Sequence, residues 1–214
     1  MQKYGTNYGG WLIPQNINLN ENSVVYSAGV GEDISFDLIL SHLFKCKIHL
    51  IDPTTKAVKH FKKIKRFYTQ EDYILSGGIQ HDYIPIIKNL KPQLNSIVYH
   101  NVGLWDSEGS LKFYKQKNRN YVSQSLVENM FGDSYDIVDV KPLSKLMEEN
   151  NHTAIDLLKL DIEGAEINVL NNMLDNQIQP TYLCVEFDLK LKGKDFEDET
   201  KKIINRLKQK GYKE

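Results

Sequence analysis

The sequence predicts an α/β fold, a doubly wound and mostly parallel sheet with helices on both faces. Two observations carry this. Short apolar runs alternate with segments whose apolar residues recur every three or four positions, the rhythm of strand–helix–strand units. Carboxylates and glycines also gather where those runs hand over to helical patterns. The clearest case is Lys159-Leu-Asp-Ile-Glu-Gly-Ala-Glu166, where three carboxylates follow the apolar run Ala154 to Leu160. In open sheets of this class, that carboxyl edge is where ligands bind.

The elements follow in order. Residues 1–23 form a polar lead-in to a core over 24–214. Val24 to Ala28 reads as a buried strand ending at Gly29-Val-Gly31. A helix from Ile34 to Phe44 follows, with Phe36, Ile39, Leu40, Leu43 and Phe44 inward. Ile48 to Ile51 is a second strand, stopped by Asp52-Pro53. Thr54 or Thr55 caps the next helix, whose apolar positions are Ala57, Val58, Phe61 and Ile64. Gly77-Gly78 suggests a turn, and Tyr83 to Leu90 a short helix with Pro85 near its start. Ser96 to Gly103 reads as a third strand. Ser110 to Tyr114 reads as another, after the tight turn Asp106-Ser-Glu-Gly109. Asn118 to Ser134 is polar and expected to be a mobile loop. Pro142 opens a helix with Leu143, Leu146 and Met147 inside. Strand Ala154–Leu160, helix Glu163–Leu174, strand Thr181–Phe187 and helix Glu197–Lys210 complete the pattern.

No repeat, low-complexity tract or linker interrupts the chain, so residues 1–214 are expected to form a single domain. The last helix stops at Gly211-Tyr212, where doubly wound sheets usually send the chain into a further strand. An apolar strand is therefore expected at a sheet edge. That implies truncation, cover by the N-terminal segment, or self-association as a homo-oligomer.

Composition narrows the partners. With 27 basic and 28 acidic residues, total charge gives no electrostatic case for nucleic acid or an anionic membrane. The local run Lys59-His-Phe-Lys-Lys-Ile-Lys-Arg66 reads as a solvated helix face. No stretch approaches the roughly 20 apolar residues of a membrane span, and the polar start is no signal peptide. Cys46 and Cys184 lie in apolar settings, as reduced core thiols of a cytoplasmic protein do. No clustered cysteine or histidine spacing points to a structural zinc site.

The chemistry concentrates at the strand ends. Gly29-Val-Gly31-Glu-Asp33 permits a tight turn and offers N–H groups to an anion. A dinucleotide fingerprint would place a third glycine at position 34, where Ile34 stands, and this counts against a nicotinamide cofactor. Asp52, 21 residues beyond Gly31, suits the two hydroxyls of a ribose, and a strand-ending turn or helix cap is its structural alternative. Asp161, Glu163 and Glu186 are the candidate general bases, with Asp188 and His100 behind them. A carboxylate ending an apolar strand is costly unless paired, hydrogen-bonded or exposed to a ligand, which favours Asp161 and Glu186. Glu163 is also explained by the first turn of a helix, and His100 by a hydrogen-bonded core position.

These pieces resemble class I S-adenosylmethionine-dependent methyltransferases with a Rossmann-like core, and more specifically the FkbM family. The resemblance is carried by Val24-Val-Tyr-Ser-Ala-Gly-Val-Gly-Glu-Asp33, His49-Leu-Ile-Asp-Pro-Thr54, Asn101-Val-Gly-Leu-Trp-Asp-Ser-Glu-Gly109 with Phe113, and Leu158 to Glu166. Tyr8-Gly-Gly-Trp11 resembles the family's segment before the core, and the family's two closing C-terminal strands are missing here. The resemblance implies that Ser27, Gly29, Gly31 and Asp33 line the methionine part of S-adenosylmethionine. It places Asp52 and Pro53 at the ribose, Asn101, Val102 and Gly103 beside the adenine, and Asp161 at the reacting end. It implies O-methylation of a saccharide, glycan or other hydroxylated small molecule, without a metal. The alternatives are a nicotinamide-dependent oxidoreductase and a catalytically inactive binding domain on the same scaffold.

Overall fold

The computed structural model describes residues 1–75, 80–115, 124–126, 134–187 and 193–213. The strands are β1 (Gln2–Tyr4), β2 (Trp11–Ile13), β3 (Val24–Ala28), β4 (Lys47–Ile51), β5 (Ile97–His100) and β6 (Gly103–Leu104). They continue as β7 (Gly109–Lys115), β8 (Gln124–Ser125), β9 (Tyr135–Lys141), β10 (Leu157–Leu160) and β11 (Tyr182–Val185). The helices are α1 (Ser35–Phe44), α2 (Thr55–Thr69), α3 (Tyr83–Ile87), α4 (Leu143–Glu149), α5 (Glu166–Asp175) and α6 (Gly193–Gln209). By proximity the chain divides into two compact units: Met1–Val102 with Ala154–Lys159 and Pro180–Cys184, and the remainder.

The first unit is built on a five-stranded parallel sheet in the order β11-β10-β3-β4-β5. Every residue of β3 is buried, as its unbroken apolar run anticipates. Val24 to Ala28 pair in register with Lys47 to Ile51, and Ile48 to Ile51 with Ile97 to His100. Side-chain alternation puts Val25, Ile48, Leu50, Ile97 and Leu157 into one core with Phe36 and Leu40 of α1, Phe61 and Ile64 of α2, and Tyr83 and Ile87 of α3. On the alternate positions Tyr26 stacks on His49 at 4.7 Å, and His49 on His100 at 5.2 Å. The strand order reverses at β3: the chain runs outward through β4 and β5, then returns to β10 on β3's other side. That is the topological switch point where open sheets bind ligands. The antiparallel pair β1–β2 precedes this sheet.

Thr54 caps α2 as expected, accepting from the Ala57 N–H at 3.2 Å. The third strand is shorter than its apolar run. Ser96 ends a 3-10 turn, β5 stops at His100, and Asn101–Val102 lie outside it. The ladder closes with the Asp52 N–H donating to the His100 carbonyl. The next N–H that would face β5, that of Thr54, turns to the Asp52 carboxylate instead. Helix α3 likewise ends at Ile87 rather than Leu90, and the expected turn at Gly77-Gly78 lies outside the described residues.

The second unit contains an additional sheet, order β6-β9-β7-β8, that the sequence reading did not foresee. Residues Gly109 to Tyr114 of β7 pair antiparallel with Val140 to Tyr135 of β9. Strand β9 hides its period because it buries little: Val140 is buried but Ile137 is 63 % exposed. Within the span expected to be a loop, Gln124–Ser125 pair with β7 as β8, and most of that span lies outside the described residues. In α4, Leu143, Leu146 and Met147 are buried as expected. Helix α5 begins at Glu166, three residues later than expected, because Glu163 (φ 52°) and Gly164 (φ 96°) adopt left-handed backbone that no α-helix accommodates. Arg206 of α6 bonds Asn171 and, at 2.6 Å, Asp175 of α5. Among the described residues, no helix is long and apolar enough to cross a membrane.

Candidate functional site

In the first unit the site forms around the turn that follows β3. Gly29 (φ 72°) and Gly31 (φ 54°) both take left-handed backbone, which favours glycine. Asp52, at the end of β4, holds this turn. Its Oδ2 accepts from the Gly31 N–H at 2.9 Å and its Oδ1 from the Thr54 N–H at 2.8 Å. One carboxylate thus ties the glycine turn to the start of α2. Asp52 is 4 % exposed. Burial raises its pKa, against the lowering by its Thr54 and Gly31 hydrogen bonds and by the Lys159 ammonium. An ionised carboxylate has about four acceptor positions, and the Thr54 side chain engages a third beside these two N–H groups. Ser27 lies buried inside β3, and Pro53 half-buried beside Asp52.

Lys159 of β10 sits at the switch point itself. Its Nζ donates to the Gly29 carbonyl at 2.8 Å and approaches the Ala28 carbonyl at 3.4 Å. It also lies 5.4 Å from the centre of the Trp11 ring. Only 5 % of this lysine is exposed. A buried ammonium is tolerated where opposite charge and acceptors surround it. Here Asp37, also buried, supplies such a charge: burial pushes its carboxyl up to about 6, and Lys159 opposes that rise.

Asp33 joins the turn to the N-terminal segment. Its Oδ1 accepts from the Ser35 N–H at 2.9 Å, and its Oδ2 from the Thr6 hydroxyl at 2.5 Å. The Thr6 N–H donates to Ser35 Oγ, and the Gly9 N–H to Thr6 Oγ1. The approach is close enough that a Cβ on Gly9 would stand 2.6 Å from Asp33 Cγ, and one on Gly10 2.4 Å from the Thr6 carbonyl. Tyr8-Gly-Gly-Trp11 is therefore a strap fitted against the glycine turn, which explains its two glycines.

The structure thus brings together Gly29, Gly31, Asp33 and Asp52, and adds Lys159, Thr6 and Trp11, which sequence reasoning did not assign. The signal for Lys159 was present: it is the one charge inside Leu157-Leu-Lys-Leu160. Asn101 is exposed and Val102 half-buried just after β5. His100 is the hydrogen-bonded sheet residue anticipated, with Nε2 2.9 Å from His49 Nδ1.

The remaining candidates belong to the second unit. Gly103 opens β6, paired with Val140. Asp161, half-buried, is the first residue after β10. Glu163 lies in the left-handed turn, not in a helix, so the helix-dipole explanation for it lapses. Its carbonyl accepts from Ser125 Oγ at 2.7 Å. Glu166 is fully buried and its Oε1 accepts from the Ile162 N–H at 2.8 Å, locking the turn from Ile162 to Ala165. Burial pushes its pKa up to about 7, with the Asp161 charge adding to the rise. Glu186 is exposed and lies just beyond β11, its N–H donating to the Leu160 carbonyl. The cost of burial therefore gives no reason to assign it a role. Asp188 lies outside the described residues.

Among the described residues, no group of three or more histidine, cysteine, aspartate or glutamate side chains is arranged to hold a metal. Compared with known protein families, residues 8–214 match the sequence model described as the methyltransferase FkbM domain. Neither the curated proteins nor the solved structures gave a match.

Proposed function

This chain belongs to the FkbM methyltransferase family, and from that premise we propose that it transfers a methyl group from S-adenosylmethionine to a hydroxyl oxygen of a saccharide, glycan or other small molecule. The observation that carries the cofactor assignment is the Asp52 carboxylate, buried at the end of β4 and already bonded to the glycine turn that follows β3. A carboxylate there accepts from a ribose hydroxyl, while the turn's left-handed glycines, their own N–H groups bonded to the Ile51 carbonyl and Asp52, let the backbone come close to a ligand.

S-adenosylmethionine supplies the electrophilic methyl. The protein's tasks are to hold donor and acceptor in line and to take the hydroxyl proton. Holding two reactants in line is worth roughly 7–11 kcal/mol in well-oriented systems. Gly29, Gly31 and Asp33, with Ser27 behind them, line the methionine part. Asp52 and Pro53 hold the ribose, and Asn101, Val102 and Gly103 flank the adenine. Asp161 is assigned as the base, because it is the first residue after β10, at the carboxyl edge of the sheet, and a fixed turn follows it. Glu163 and Glu186 are the alternatives. A positioned base contributes on the order of 10²–10⁴-fold to such a step. Two free, buried thiols, Cys46 and Cys184, fit action in a reducing cytoplasm.

Titration calorimetry with S-adenosylmethionine, S-adenosylhomocysteine and NAD tests the cofactor, followed by mass spectrometry of hydroxylated acceptors. Binding of the adenosyl ligands and an acceptor gaining one methyl group are expected. Preference for NAD would replace this reading with the oxidoreductase. Binding of S-adenosylhomocysteine with no transfer to any acceptor would leave a binding domain.

A further inference from the structure

The near-balanced total charge, 27 basic against 28 acidic residues, conceals a one-sided distribution on α2. This helix carries Lys56, Lys59, Lys62, Lys63, Lys65 and Arg66 and no carboxylate. At 100° per residue these six cover the side opposite Ala57, His60, Phe61 and Ile64, which are buried. Lys59, Lys62, Lys65 and Arg66 are exposed. Among the described residues, Lys59, Lys62 and Arg66 have no ion-pair partner, and Lys65 lies over the Phe61 ring at 5.0 Å. The first carboxylates after the helix, Glu71 and Asp72, come past its C-cap at Gln70.

A merely solvated face looks different, and α6 shows how. That helix also has an apolar stripe, but Glu197, Asp198 and Glu199 share its surface with Lys201, Lys202 and Arg206. Lys201 pairs with Glu197 at 3.1 Å, and Arg206 with Asp175 at 2.6 Å. Charges of both signs that satisfy one another ask for no partner. Four exposed cations along a helix about 22 Å long repel one another, weakly for each i,i+4 pair, and an external anion relieves that.

We propose that the exposed α2 face docks on an anionic lipid bilayer. The shape favours a surface over a nucleic acid strand. The cations lie along one side of one helix and, among the described residues of that helix, no row of exposed aromatic rings of the kind single strands stack on accompanies them. A local patch suffices for a bilayer, because attraction to its surface acts within about 10 Å at 0.1 M salt and the carboxylates elsewhere in the chain are screened. Ile74, four residues beyond the C-cap, is an exposed apolar side chain, 83 % accessible, in the segment that follows this helix.

Each exposed cation near such a surface is worth roughly fivefold in partitioning, so losing three costs on the order of a hundredfold. The test is co-sedimentation of the full chain with vesicles of phosphatidylcholine alone and of phosphatidylcholine mixed with phosphatidylglycerol. Variants are the triple substitution Lys59→Gln, Lys62→Gln, Arg66→Gln, and a control, Lys201→Gln with Lys202→Gln on α6, both checked for native melting. Binding to the mixed vesicles alone, weakened by salt, lost in the triple variant and kept in the control, is expected. Equal binding to both vesicles, an unaffected triple variant, or no sedimentation overturns the proposal. So does a duplex or single-stranded oligonucleotide that displaces the protein from vesicles at lower phosphate concentration.

Discussion

Replacing Lys159 by methionine removes one charge while keeping the length of the side chain, and it probes the link between the core and the site. Two losses follow from the structure. The Gly29 carbonyl loses a charge-assisted donor at 2.8 Å, a contact of a kind worth about 1.5–3 kcal/mol. Asp37 and Asp52, both buried, lose the cation that opposes their raised pKa values. Breaking a buried charge pair by removing one partner costs about 3–5 kcal/mol. These contributions overlap, so about 3–5 kcal/mol is expected in total, a large share of the roughly 5–15 kcal/mol of a whole domain.

The pH dependence identifies the cause. Asp37 titrates at about 6 in the folded protein against 3.8 unfolded. A carboxyl with a raised folded pKa favours folding fully below its unfolded value, and that contribution is lost as pH rises through 3.8 to about 6. Without Lys159 the folded pKa climbs further, so the decline extends to higher pH. Urea unfolding of wild type, Lys159→Met, Asp37→Asn and the double variant from about pH 5 to pH 8 measures this. The double variant should recover part of the loss at the upper end. Parallel stability curves, with the two substitutions strictly additive, would refute the charge linkage.

Three further outcomes are expected. Asp52→Asn keeps one acceptor but turns an amide towards the other N–H, so affinity for S-adenosylhomocysteine should fall by about 1.5–3 kcal/mol in calorimetry; undiminished affinity removes Asp52 from the ribose. Asp161→Asn should slow methyl transfer by on the order of 10²–10⁴-fold with native melting retained, and wild-type turnover would discharge Asp161 as the base. Glu166→Gln keeps an oxygen for the Ile162 N–H and removes a carboxyl whose pKa rises from 4.5 to about 7 on folding. Wild type should therefore lose up to about 3 kcal/mol relative to this variant as pH rises through 4.5 to 7, and identical pH profiles would contradict that.

Strands β3, β4, β10 and β11 were legible because each is an apolar run followed by a helix pattern, and the burial of β3, β4 and β10 on both faces removes ambiguity of period. The antiparallel sheet was not legible, for the opposite reason. Strand β9 exposes Tyr135 and Ile137 and carries Asp136 and Asp139, so neither alternation nor a continuous run marks it. Boundaries failed where backbone chemistry, not hydrophobicity, sets them. The Asp52 carboxylate takes the Thr54 N–H that would extend the β4–β5 ladder, and left-handed Glu163 with Gly164 delays α5 to Glu166.

For the candidate site, residue type and place in the strand–helix rhythm sufficed to single out Gly29, Gly31 and Asp52, which the structure brings to one turn. What the sequence could not convey is that these positions are held by residues distant along the chain. Thr6 reaches Asp33 across 27 residues, and Lys159 reaches Gly29 across 130. Such contacts leave no periodic trace. Their only sequence signature is a residue out of keeping with its surroundings, a lysine inside an apolar strand or a glycine pair before an aromatic ring. Both anomalies point at the same turn: Trp11 lies against the Lys159 ammonium that bonds Gly29, and Gly9 lies against the Asp33 carboxylate that Thr6 bonds. The N-terminal strap is thus part of the site's construction. A glycine-to-alanine change at Gly9, outside the parallel sheet, should disturb the turn as directly as a change within it.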